Sequence, residues 1–212
     1  MNEDGSFEQI KVPDSGQQFA SKYLRIYPRS VNVAPGESQL VKVQLVKTDQ
    51  LSPGEYRSHI YVRAVPVENP LGDKEPTRDT GDISVKLTAI FGLSIPALVR
   101  VGENDTKITL SEAAFFLAPD KKPKLSVTLN RSGLMSSYGD LSVECIKSDG
   151  EVKQVGIVRG IAVYTPNTRR NFQLALDVVP GIDYKNCKLF IRYMTQKDSK
   201  VQDLAETEIT LN

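Results

Sequence analysis

The residue types that most often catalyse reactions or bind metals are scarce in this sequence. His59 is the only histidine among 212 residues, and it alternates with Arg57, Tyr61 and Arg63, which predicts a solvated position on the polar face of a strand. A zinc site or a Ser-His or Cys-His nucleophile pair needs a further histidine or a suitable cysteine pair. Asp and Glu are plentiful but scattered, which leaves a carboxylate-only glycosidase as the remaining enzyme alternative. The sequence therefore favours a binding protein that is not an enzyme and needs no cofactor or metal.

The two cysteines, Cys145 and Cys187, have no short metal-ligand spacing. Cys145 alternates with Leu141 and Val143, and Cys187 alternates with Leu189, so both thiols are expected to face a core. Two alternatives remain open, namely buried free thiols and a disulfide across the second domain in an oxidising compartment. Spacing alone does not decide between them.

The most informative stretch is the alternating segment 83–95. Every second residue in it is apolar, which predicts a β-strand with one apolar face. At about 3.3 Å per residue this strand would be roughly 40 Å long, more than a small sandwich needs for its own core. We therefore expect another protein to use part of it. The apolar positions are Ile83, Val85, Leu87, Ala89, Phe91, Leu93 and Ile95.

The overall charge gives no reason to expect nucleic acid or membrane as a partner. Lys and Arg number 27 and Asp and Glu 26, which leaves a formal charge of +1. Apolar runs are far shorter than the roughly 20 residues that span a bilayer, so no membrane insertion is expected. The first ten residues are acidic and polar, unlike a secretory signal peptide. Either the protein stays in the cytosol or this chain lacks its true beginning.

The strand pattern predicts an all-β protein with two antiparallel sandwich domains, residues 1–99 and 100–212. The residues between the first-domain segments 56–65 and 83–95 include an exposed loop at 67–82. Only residues 111–117 have a period compatible with a helix. Strands are expected at residues 23–27, 40–46 and 56–65, along the alternating segment, and then at 108–110, 125–129, 141–146, 161–164, 172–176, 189–193 and 209–211.

The first domain is expected to be incomplete. About four or five strands precede residue 100, whereas a closed sandwich of this type has seven or more. An open core would expose apolar faces and unpaired strand edges. The preferred interpretation is that two or three amino-terminal strands are missing from this chain, and the alternative is an unusually small domain.

Several motifs carry a resemblance to one protein family. These are YLRIYPRSVNVAPGESQLVKV, LSPGEYRSHIYVRAVP and the alternating strand that ends in IPALVR. In order and spacing they resemble the periplasmic pilus-assembly chaperones, a PapD-like family with two immunoglobulin-like domains. The resemblance covers residues 23–100, and a weaker one in the second domain rests on RGIAVYTPNTRRNFQLAL.

The resemblance implies a function. In that family the last strand of the first domain completes a pilus or fimbrial subunit that lacks one strand, a form of β-strand addition. Matched by position, Ile83, Val85 and Leu87 would be donated, with Ala89 as a marginal fourth, whereas Phe91, Leu93 and Ile95 would pack inside the chaperone itself. The implied location is the periplasm, and the implied partners are subunits and an outer-membrane usher. The alternative is a general β-sandwich module that binds a protein or glycan.

Charged positions of the family are only partly matched. The family holds the subunit's terminal carboxylate with a cleft arginine and a lysine. The arginine's strand is absent here, and no lysine lies between Thr88 and Thr106. Arg100 matches an arginine that fixes the domain junction by ion pairing, although the sequence does not identify its carboxylate partner. The alternative for Arg100 is an exposed strand-end charge worth under about 1 kcal/mol.

Overall fold

The protein is all-β in a computed structural model that describes residues 1–9, 11–65, 89–197 and 200–211. Within these ranges no helix has the length and apolar character required to cross a bilayer. Short 3-10 helices occur at Ala20–Tyr23, Thr48–Gln50 and Tyr184–Asn186. The strands are β1 (Leu24–Tyr27), β2 (Lys42–Leu45), β3 (Gly54–Arg63), β4 (Gly92–Val101), β5 (Lys107–Leu117), β6 (Pro123–Ser132), β7 (Ser137–Lys147), β8 (Val152–Val163), β9 (Arg169–Ala175), β10 (Cys187–Lys197) and β11 (Lys200–Thr210).

The chain divides into two compact units. Each unit is built from separate segments of the chain, whereas the sequence analysis expected one boundary at residue 99. Unit 1 comprises Met1–Gln18, Asp49–Tyr56 and Arg100–Asn212. Unit 2 comprises Phe19–Thr48 and Arg57–Val99. Early residues join unit 1 through hydrogen bonds, since the Asn171 amide donates to the Glu3 carbonyl over 2.7 Å. Segments that lie far apart in the sequence therefore share one packed unit.

Unit 1 is a sandwich of two antiparallel sheets. One sheet has the strand order β5-β6-β9 and the other has the order β11-β10-β7-β8. Alternating apolar residues from both sheets form one core, because every second side chain of a strand points to the same face. Its fully buried members include Leu125, Leu129, Leu141, Val143, Leu189 and Ile191.

Each of the seven strands expected in the second domain overlaps one of the strands β5 to β11, and three of them extend one residue past its end. Residues 111–117, the one segment with a helix-compatible period, belong instead to β5. Here β5 pairs with β6, and the register shifts between Ser111 and Ala114. Glu112 has a positive φ of 53° at this irregularity. A bulge displaces the side-chain alternation, which explains why the local period is not that of a regular strand.

Cys145 and Cys187 form a disulfide, which decides between the two alternatives left open by the sequence. Both residues are buried in the core, as their alternation predicted. The bond joins β7 to β10, which are neighbours in the four-stranded sheet, and the two Cα atoms are 5.5 Å apart. It therefore ties adjacent strands of one sheet together.

The buried phenol of Tyr193 predicts a loss of stability at high pH. Its hydroxyl donates to the Ile161 carbonyl over 2.9 Å, and burial raises its pKa to about 12. An unfolded tyrosine has a pKa of about 10, so this stabilisation is complete below pH 10 and is lost as the pH rises through the folded value. Between about pH 9 and 11.5 we expect Tyr193 to account for a loss of about 2 kcal/mol in the free energy of unfolding.

Urea unfolding of the wild type and of Tyr193→Phe at both pH values measures this effect. The variant lacks the ionisable hydroxyl, so its stability should fall less steeply with pH. Equal pH dependence of the two proteins would contradict the prediction.

Candidate functional site

β3 and β4 form a two-stranded ribbon. Near the end of β3, the Ala64 amide donates to the Phe91 carbonyl just before β4 begins, over 2.9 Å. At the other end, Glu55 near the start of β3 contacts Arg100 near the end of β4. The start of one strand therefore lies beside the end of the other, so the ribbon is antiparallel.

The ribbon has one polar and one apolar face. A Cβ atom at Gly92 would come within 2.7 Å of the Tyr61 ring, which places Gly92 and Tyr61 on the same face. Since successive side chains alternate, Ser94 shares that face, and Leu93 and Ile95 lie on the opposite one. The sequence expectation of one apolar face on this strand holds for its described part.

The apolar face of β4 is exposed, and this corrects one expectation. Phe91, Leu93 and Ile95 were expected to pack inside their own domain, yet they are 79%, 62% and 46% exposed. Among the described residues, β3 is the only strand hydrogen-bonded to β4. This face can be buried only if a second layer of secondary structure packs against it. Alternation in the sequence predicts an apolar face but does not show whether such a layer is present.

The observed strand also continues beyond its expected end at Ile95, through Pro96 to Val101. The Phe91 carbonyl points toward β3. In an antiparallel pair the N–H and C=O groups of every second residue point toward the same neighbour, so those of Leu93 and Ile95 also point toward β3. Pro96 falls in the opposite phase, where its missing N–H faces the outer edge. Proline is tolerated in an edge strand for this reason.

The donated residues expected from the resemblance lie mostly outside the described part of the chain. Ile83, Val85 and Leu87 belong to the range 66–88, of which nothing is described. Ala89 is described, exposed, and located three residues before β4 begins. His59 is exposed on β3, as expected.

A second ribbon, formed by β1 and β2, also carries an apolar face. Leu24 pairs with Leu45, and Ile26 pairs with Val43. Directly paired residues share a face, so these four side chains lie together. Val43 and Leu45 are exposed and the two β1 residues are half-buried. Unit 2 thus presents apolar surface on both of its described ribbons.

Arg100 binds a carboxylate at the base of the β3–β4 ribbon. Its Nε donates to Glu55 over 2.9 Å, and the Glu55 side chain is fully buried whereas that of Arg100 is 47% exposed. The Ser136 amide donates to the same carboxylate over 3.1 Å, and the Ser136 hydroxyl donates to its other oxygen. Three donors from two parts of the chain therefore satisfy one buried charge, as a buried carboxylate requires.

Thr165 joins this network through a hydrogen bond, and Arg131 interacts with it through its charge. The Thr165 amide donates to the Ser136 hydroxyl over 3.0 Å. Arg131 donates to the carbonyls of Met135 and Gly133 over 2.9 and 2.7 Å. Burial lowers the pKa of Arg131, and the nearby charges of Glu55 and Asp105 act in the opposite direction. The carboxylate of Glu55 thus lies in a positive electrostatic environment.

Sequence reasoning missed Glu55 and Ser136. Glu55 follows Pro53-Gly54, a pair of residues typical of a turn, and Ser136 lies 81 positions away. No local period reports a contact between two polar residues so far apart. The placement of Arg100 at a strand end was the one available signal for an ion pair.

The described residues offer no metal-binding cluster of three or more His, Cys, Asp or Glu side chains. The arrangement that they do offer is an amphipathic ribbon with an open edge, anchored at one end by Glu55 and Arg100. Such a ribbon can accept a strand from another protein.

Comparison of the chain with protein-family models, with curated proteins and with solved structures found no match.

Proposed function

We propose that this protein is a periplasmic chaperone that binds pilus or fimbrial subunits by strand addition before their assembly at the outer membrane. The observation that carries the proposal is the exposed apolar face of β4, a strand whose only hydrogen-bonded neighbour within the described residues is β3. A subunit that lacks one strand needs both a backbone edge and a row of alternating apolar side chains. Within the described residues β4 has an open edge and an exposed apolar face, and the sequence before it continues the same alternation of apolar residues.

The expected contact energies support this role. Ile83, Val85 and Leu87 remain the proposed donated residues, with Ala89 as the marginal fourth. Burial of three such side chains contributes about 5–9 kcal/mol before association costs are subtracted. These costs are of similar size, so hydrogen bonds along the strand edge must add to the affinity. The exposed positions Phe91, Leu93 and Ile95 would extend the same apolar row.

Two features of unit 1 support the proposed class and location. The first, second and fifth strands of unit 1 (β5, β6 and β9) form one sheet. The third, sixth and seventh strands (β7, β10 and β11) belong to the other sheet, as in immunoglobulin sandwiches. The fourth strand, β8, lies at the edge of the second sheet. The Cys145–Cys187 disulfide fits an oxidising compartment such as the periplasm.

A charge placed in the donated row tests the proposal. Leu87→Glu should reduce subunit capture at least a hundredfold, because a carboxylate would be buried where a leucine was. Thr88→Glu adds the same charge one position later, in the opposite phase, and should leave capture nearly unchanged. The measurement is co-purification with the small secreted proteins encoded beside this chain, after co-expression in the periplasm.

A second pair of variants uses described residues. Leu93→Glu and Ser94→Glu change neighbouring exposed positions on opposite faces of β4, so neither should destabilise the fold by more than about 0.5 kcal/mol. Only Leu93→Glu is expected to weaken capture. If both pairs of variants captured subunits like the wild type, strand donation would be refuted. A general interaction module would be favoured if the protein bound a folded partner that lacks no strand.

A further inference from the structure

The β1–β2 ribbon has a second face that is cationic. Arg25 pairs with Gln44, and Tyr27 pairs with Lys42, so these four side chains share the face opposite to the apolar one. Arg29 and Leu40, which flank the two strands, line the same cavity as these four residues. We call this surface the cationic face; it consists of Arg25, Tyr27, Arg29, Leu40, Lys42 and Gln44.

All six residues of the cationic face are exposed, and they line a shallow cavity of about 800 Å³. The remaining lining residues are Ile26, Val41 and Val43. Among the described residues, no carboxylate lines the cavity. Within the described part of the chain, Arg25, Arg29 and Lys42 form no ion pair, so their charges are available to a ligand.

Positive charge is concentrated in unit 2, which contains this face. The whole chain has a formal charge of +1. The described residues of unit 2, in contrast, contain seven Lys and Arg residues and a single acid, Glu37. A positive patch on a nearly neutral protein attracts an anionic partner to one place, whereas a uniformly basic surface would bind polyanions everywhere.

We infer that the cationic face binds an extended acidic segment of a partner protein. Alternate side chains of an extended peptide lie about 6.6–7 Å apart. Arg25 and Tyr27 have the same separation on β1, and Lys42 lies opposite Tyr27 on β2. Within the described residues β1 and β2 pair only with each other. An added acidic strand could therefore align its carboxylates with these cations.

The uncharged members of the face favour a peptide over a phosphate polymer. Tyr27 and Leu40 are each 75% exposed beside the cations. The aliphatic side chain of Leu40 packs on the side chains of a peptide, for which a phosphate backbone has no counterpart. Tyr27 packs on peptide side chains and also stacks on nucleic-acid bases, so a comparison with single-stranded DNA belongs to the test. This surface lies on the other ribbon from the strand of the proposed function, and the inference holds or fails independently of it.

The test uses the full chain and a labelled synthetic peptide with Glu and Val at alternating positions. Fluorescence anisotropy should detect saturable binding that weakens as salt is added, since exposed ion pairs are screened. Arg25→Gln combined with Arg29→Gln and Lys42→Gln should weaken binding about ten- to thirtyfold. The matched control, Lys107→Gln with Lys122→Gln and Lys153→Gln, removes the same charge from unit 1 and should change binding less than twofold.

Four outcomes would overturn the inference. One is equal binding of the peptide by the wild type and the triple variant at the cationic face. Another is equal binding of a peptide with Gln in place of Glu. Preference for single-stranded DNA or for anionic lipid vesicles over the peptide would assign the face to a different class of ligand. Tighter binding of a peptide of the chain's own residues 67–82 would make that segment the occupant.

Discussion

Replacement of both Cys145 and Cys187 by alanine is expected to lower the free energy of unfolding by at least about 4 kcal/mol. The two cysteines are 42 residues apart. In the loop-entropy model, a cross-link over a loop of this length lowers the conformational entropy of the unfolded chain, which stabilises the folded state by about 4 kcal/mol. Both side chains are also buried in the core of unit 1. The cross-link therefore accounts for a large part of the stability of a small domain, which is typically about 5–15 kcal/mol.

Urea unfolding of the wild type, the double variant and the reduced wild type separates two contributions. The reduced wild type keeps both sulfur atoms and loses only the cross-link, whereas the double variant also loses side-chain volume in the core. We expect the reduced wild type to show most of the loss. Two free thiols in the unreduced, urea-unfolded protein would contradict the disulfide itself.

Glu55→Ala is expected to lower the free energy of unfolding by about 3 kcal/mol. Within the described residues, Glu55 is the only acceptor for the Ser136 amide and hydroxyl, which lie in a buried part of unit 1, and the substitution removes it. It also leaves Arg100 without its partner, although water can hydrate that half-exposed guanidinium. The loss should therefore come mainly from the orphaned donors of Ser136.

The control is Glu208→Ala. Glu208 pairs with Lys188 on the surface, where both side chains are exposed by more than 40%, and an exposed pair of this kind contributes under about 1 kcal/mol. A double-mutant cycle with Glu55→Ala and Arg100→Met measures the coupling between the two charges. If Glu55→Ala cost no more than Glu208→Ala, the buried network would not stabilise unit 1.

Much of the fold follows from local alternation. In Leu141, Val143 and Cys145 every second residue is apolar, and that period both predicts a strand and identifies its core-facing side. The seven strands of unit 1 were predicted in this way, and their bounds differ from the expected ones mainly in length. Hydrogen bonding to a neighbour extends a strand past its apolar residues, as in β5, so periodicity underestimates the ends.

The candidate site was less predictable. Alternation identified the apolar face of β4, but the family resemblance assigned Leu93 and Ile95 to an interior that the described residues do not enclose. Glu55 and Ser136 are polar and distant in sequence, so no local pattern connects them. The cationic face likewise depends on the β1–β2 register, because the pairing of Tyr27 with Lys42 places residues from separate segments side by side.

The sequence by itself determined that this is an all-β protein, which strand residues of unit 1 face its core, and that one strand of unit 2 has an apolar side. These properties depend on side-chain alternation, which is local to a few residues. The tertiary structure decided that the cysteines are paired, that Glu55 is buried beneath Arg100, and that the apolar side of β4 is exposed. Each of these depends on which segments pack together, and packing is set by the free energy of the whole chain.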